Sequence, residues 1–252
     1  MLLPPSRGKA TGGSGPGWRD APPGRFAELD PDRRRVLRAL RASGAATGLE
    51  RAPTLPAIER YAGVLFRHLD AGSLAPAAAS RLGRDVVLLS GLWGLLAPAD
   101  LIPAYRLPMG TRLEPLGTLS AWWRPRLSPV LDRRVAGAVV WDLLSGEYAA
   151  AWKQLQGPTY ERRVTPRILE ELPGPDGGVV RRALSHQAKA VRGALARHVL
   201  LTGLDDPAGL ADVDPASLLG HELDPTATAA SGPDVTITLV RRVPARGPGS
   251  AT

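Results

Sequence analysis

Three lysines, Lys9, Lys153 and Lys189, stand out in a chain whose other 29 basic residues are all arginine. Asparagine is absent and phenylalanine scarce, the pattern of a coding sequence drawn toward GC-rich codons. Where arginine serves as the generic cation, a retained lysine marks a place that needs a compact, titratable ammonium, as electrostatic stabiliser or as nucleophile. Chance retention is the competing account. Glu147 lies six residues before Lys153 and suits a general acid or base, or simply starts a helix. Arg106 and Arg112 flank a Pro-Met-Gly turn, so they either converge on one anion through bidentate bonds or pin a long loop by salt bridges. Lys189 and Arg192, three apart, share a helix face, and Gly193 beside them permits close backbone approach. Gly91 and Gly94 bracket a turn which, as a hairpin between two short helices, would aim backbone N–H groups at a phosphate. Trp122 and Trp123 offer rings for base stacking, though a Trp pair more often packs a core.

Composition narrows the chemistry. The net charge of +8 and pI near 10.7 favour a polyanionic partner, double-stranded DNA or a nucleotide-like anion, against the alternative of scattered, solvated charge. With no cysteine, disulfides, thiolate metal sites and thiol catalysis are excluded. His68, His186, His198 and His221 are dispersed, and none forms the Glu-x-x-His pairs of a ferritin-like site, so no metal ligand set and no cofactor are expected. No stretch has the roughly 18 to 20 apolar residues of a membrane span. The Met1–Lys9 segment is broken by Pro4 and Pro5 and does not read as a signal peptide, so a cytoplasmic location is the expectation.

The elements that must position these residues can be read in outline. A short strand at the start runs into a Gly-rich loop that delivers Ser6 and Lys9. Asp30 or Asp32 starts a helix over about 31–43, with Val36, Leu37 and Leu40 at helical spacing; its Arg33, Arg34, Arg35, Arg38 and Arg41 read as a solvated face. Two short helices follow, interrupted at Gly63. RDVVLLSG and residues 135–146 read as buried strands, and 160–169, 179–185 and 235–243 as further strands. Helices are expected at 148–155, 187–201 and 207–212. The expectation is an α+β fold: a single domain over 1–245, with a mixed sheet flanked by helices and a helix-hairpin-helix-like element, then a disordered tail at 246–252.

Four blocks in order carry a family resemblance. LSGLWGLLAPADLIPAYRLPMGTRLE resembles the central signature of the YaaA family of peroxide-stress proteins, and LLPPSRGKATGG resembles its N-terminal block with Lys9. LLSGEYAAAWK is similar to the block holding Ser145, Glu147, Tyr148 and Lys153, and SHQAKAVRGALAR to that holding Ser185, Lys189, Arg192, Gly193 and Arg197. All three lysines fall inside these blocks. The chain departs from the pattern at Arg7, Val64, Phe66 and Gln187.

The resemblance implies a cytoplasmic bacterial protein of the oxidative stress response that limits damage to DNA, lowers free iron and binds duplex DNA through a basic cleft. On that reading Gly91–Leu96 forms the hairpin, and Arg106, Arg112, Lys9, Lys153 and Lys189 line the cleft. The alternative is an enzyme of glycosidase or lyase type acting on a nucleotide or flipped-out base, with Glu147, Lys9 and Lys189 catalytic. Oligomeric state and physiological ligand are left open.

Overall fold

The computed structural model describes residues 1–44, 48–154, 156–174, 178–184 and 187–243. Strand β1 (Leu2–Leu3) is buried and pairs in parallel with β2 (Val87–Ser90), which turns back antiparallel into β3 (Gly94–Leu96). A second sheet is built on β5 (Arg162–Pro173). It takes β4 (Val139–Trp141) and β8 (Asp234–Arg242) in parallel and β6 (Val179–Ala183) antiparallel, while β7 (Glu222–Ser231) closes antiparallel on β8. The two sheets meet where Leu2 bridges Asp142 and the Leu143 N–H donates to the Leu2 carbonyl at 3.0 Å. The start of the chain thus lies between the sheets, and mixed pairing is what the α+β expectation required.

Helices cover this framework. In α1 (Asp30–Ala42), Val36, Leu37 and Leu40 face the core as their spacing predicts. Arg33 does not join a solvated face: it is 2% exposed, and its guanidinium donates to the carbonyls of Trp93 and Leu95. Helices α2 (Ala57–Arg60) and α3 (Val64–Leu69) break at Gly63 as expected. Next come α4 (Pro76–Asp85), α5 (Leu119–Val135), α6 (Gly146–Ala149) and α7 (Gln187–Thr202). Helix α5 contains Pro125 and Pro129, which disfavour a helix interior and hide it from sequence reading. Its buried face, Trp123, Leu127 and Leu131, nonetheless packs into a core that runs from Leu2 to Leu239.

Several boundaries differ from expectation. The strand read over 135–146 is only Val139–Trp141, because α5 continues through Val135. The helix read at 148–155 is the single turn of α6, beyond which the Lys153 N–H donates to Ser128 Oγ at 3.1 Å. Residues 207–212 form a 3-10 helix capped by the Asp206 carboxylate. Strand β7 has weak alternation and was not anticipated. Ser185, His186 and the 246–252 tail lie outside the described residues.

Candidate functional site: a basic cleft

The site begins with how the N-terminal loop is held. From β1 the chain runs through Pro4 and Pro5 to Lys9, which bridges Tyr61. Backbone bonds from Ala10 N to the Arg60 carbonyl (2.8 Å) and Ala62 N to the Gly8 carbonyl (3.1 Å) fasten the loop to the α2–α3 junction. Arg60 is fully buried and donates to the carbonyls of Ala10 (2.5 Å), Gly12 (2.9 Å), Pro53 (3.1 Å) and Ile102 (3.2 Å). One guanidinium thus binds four backbone carbonyls, three of them in loops. Gly63 is required here, since a Cβ would lie 2.5 Å from Ser6 Cβ.

This clamp sets the Lys9 ammonium over two rings, 4.5 Å from the centroid of Tyr105 and 5.1 Å from that of Tyr61. Its hydrogen-bond acceptor is the Ser6 carbonyl. Burial pulls Lys9 down from 10.5 to about 8, because the charged form loses hydration. The rings belong to a buried hydroxyl chain: Tyr61 OH to Tyr105 OH and Tyr105 OH to Ser90 Oγ, each 2.7 Å. Ser90 Oγ in turn accepts from the Leu92 and Trp93 N–H groups. Burial pushes Tyr105 up to about 12 and Tyr61 well above its ordinary value, so both remain neutral phenols.

Lys9 opens onto a cleft of 580 Å³, in the range of small-molecule sites. Arg7 and Lys9 come from the loop, Arg106 follows Tyr105, and Lys189 and Arg192 lie one turn apart on α7. Arg192 Nε is buried without a hydrogen-bond partner, and burial lowers the pKa of that guanidinium. Ser145 and Glu147 complete the wall, and the Gly110 N–H donates to Glu147 Oε2 at 2.9 Å. Glu147 is the one carboxylate among the described lining residues.

The cleft therefore brings together Lys9, Arg106, Glu147, Lys189 and Arg192, residues spread from position 9 to position 192 of the sequence. Other expected site residues lie elsewhere. Gly91 and Gly94 belong to a hairpin between strands rather than helices; it is buried, and Ser90 Oγ already takes its amides, so they do not face a phosphate. A Cβ at Gly91 would strike the Leu107 carbonyl, and Gly94, at φ +70°, packs on Trp123. Arg112 is exposed and pairs with Glu114 at 2.9 Å, which is the loop-pinning alternative and leaves Arg106 to face the cleft alone. Lys153 is exposed beyond α6 and does not line the cleft. Gly193 admits a neighbouring helix rather than a ligand, because a Cβ there would strike the Leu65 carbonyl of α3. Trp123 is buried with its indole N–H on the Gly91 carbonyl (2.9 Å), and Trp122 lies under the Arg126 guanidinium, so neither ring is free to stack.

Sequence reading missed Arg60, whose setting in a short helix carries no signal, and it noted Arg7 only as a departure from the family pattern. Phe66, another departure, packs its ring 5.2 Å from that of Tyr61 and does not line the cleft.

Fold and site together define the class: an α+β protein with a mixed sheet and a basic cleft roofed by its N-terminal loop. Comparison with known proteins places it further. The family model described as peroxide stress protein YaaA matches residues 32–225. A UPF0246 protein of Streptomyces coelicolor is 38% identical, covering 92% of this chain and 94% of its own. One from Corynebacterium efficiens is 33% identical over 78% of this chain and 83% of its own, and one from Leptothrix cholodnii 36% identical over 71% and 66%. The chain belongs to the YaaA family of peroxide stress proteins, the UPF0246 proteins.

No helix among the described residues is long and apolar enough to cross a membrane. Among the same residues no group of three His, Asp or Glu side chains could hold a metal ion.

Proposed function

We propose that the protein serves the peroxide stress response in the cytoplasm as a DNA-binding protein, and that its basic cleft is the contact site. One observation carries the reading: five cations, Arg7, Lys9, Arg106, Lys189 and Arg192, line a single cleft with one carboxylate. Such a surface gains by displacing counterions from phosphates, and a volume of 580 Å³ suits one nucleotide with its flanking phosphates. The family assignment supplies the stress context.

The test is fluorescence anisotropy of labelled duplex, single-stranded and abasic DNA across a salt series. Arg106→Ala with Lys189→Ala should weaken duplex binding by roughly tenfold or more, since each lost charged contact is worth about 1 kcal/mol. Arg112→Ala with Lys153→Ala, both outside the cleft, should change it less than about twofold. Equal losses from the two pairs would mean that scattered surface charge, not the cleft, holds DNA.

A further inference from the structure

The cleft's cations differ in setting: the arginines carry delocalised guanidinium charge, and Lys189 sits exposed on α7. Lys9 is held differently: its Nζ lies over the rings of two neutral tyrosines and contacts a carbonyl rather than a carboxylate, and the Arg60 clamp fixes the loop that carries it. A phosphate anchor would need none of this, because Arg in the same place would bind more firmly. At pH 7.5 a group titrating at about 8 is roughly one quarter neutral, against about one part in a thousand for an ordinary lysine.

We propose that Lys9 is a nucleophile that condenses through Nζ with the aldehyde of a ring-opened pentose phosphate, the guanidinium groups of the cleft holding the phosphate. This rests on reading the cleft as a site for nucleotide phosphates. The neutral amine adds to C1′ of the open sugar, water leaves, and the imine takes up a proton from solvent, which is returned when the imine is hydrolysed. In abasic DNA the imine draws electrons from C2′, whose proton passes to the Glu147 carboxylate, and the C3′–O bond breaks as the 3′-phosphate departs with its electron pair; the free sugar phosphate, with a hydroxyl at C3′, stops at the imine. Water then adds to the imine, returning the Lys9 amine and an unsaturated aldehyde. Atoms and charge balance with no oxidant or reductant.

The aldehyde has two sources, an abasic site within DNA or a free sugar phosphate, and separate arms distinguish them. The full chain is incubated with abasic duplex, with intact duplex, or with deoxyribose 5-phosphate, reduced with sodium borohydride, and mapped by peptide mass spectrometry. The expected result is one adduct per chain on the Lys9 peptide, from the abasic duplex, the free sugar phosphate or both, and none from intact duplex. Lys9→Arg should abolish it, while Lys153→Arg, outside the cleft, should retain both the adduct and the duplex affinity in full. Mapping in the wild type keeps the test valid even if Lys9→Arg folds poorly. No adduct from a protein that binds duplex in the parallel anisotropy assay overturns the inference and spares the binding reading. An adduct on Lys189 or Lys153 overturns it as well. Loss of both binding and adduct removes the two together.

Discussion

At the scale of single residues, the behaviour of Lys9 follows from an ammonium half-withdrawn from water and set against ring faces instead of a counter-ion. Its folded value, about 8, lies below the ordinary 10.5. Between those values the unfolded chain holds the proton and the folded chain has released it, so stability rises with pH across that window. Below pH 8 both states are protonated and the contribution is flat. Urea denaturation of wild type and Lys9→Met should therefore show wild type gaining on the variant from pH 8 to 10.5, and equal pH slopes for the two would contradict the burial of this amine. The rate of borohydride-trapped adduct should climb through the same lower value and then level. Lys9 was legible in the sequence because Arg dominates everywhere else. Its setting was not: Tyr61 follows α2, Ser90 ends β2 and Tyr105 lies in the loop beyond β3, and the three meet only in the folded chain.

At the scale of elements, the α3–α7 contact decides whether Lys189 and Arg192 face the N-terminal loop. Gly193 lets the helices touch backbone to side chain, and any Cβ there meets the Leu65 carbonyl, which cannot move without shifting α3. Gly193→Ala should cost about 1–3 kcal/mol in chemical denaturation and weaken duplex binding, because overpacking would separate α7 from the loop. An unchanged midpoint would show that α3 yields freely. Helical spacing exposed α1, and a continuous apolar run exposed the buried strand β2. Such patterns failed at α5, where two prolines mask a helix held by the burial of Trp123 and Leu127, and at β7, where only Asp224 is buried. The hairpin at Gly91–Trp93 failed for a different reason: two glycines specify a tight turn and say nothing of whether strands or helices enter it.

For the whole molecule, net charge overstates the binding surface. Much of the arginine is internal fastening: Arg33 and Arg60 satisfy carbonyls, Arg163 pairs with the buried Asp142, and Arg182 and Arg241 share Glu170. If DNA contacts run through the five cleft cations, the logarithm of affinity should fall with that of salt at a slope of about −4 to −5. A slope near −8 or steeper, read from the salt series, would show the remaining surface taking part. Composition raised the expectation of a polyanionic partner, but no count of charges could separate the cations that fasten loops from those that face the cleft.

Strand β5 carries one more consequence, for the chain while it is being made. It pairs in parallel with β8, Arg163 opposite Asp234, about 70 residues further on. At roughly 5–20 residues per second of synthesis, β5 waits roughly 4 to 14 s before that partner is even polymerised. Its run from Val164 to Leu169 holds buried apolar positions with one backbone edge unclaimed for that interval. A nascent chain of this protein therefore has a window in which a trigger-type chaperone, or a neighbouring nascent chain, competes for the place β8 will take.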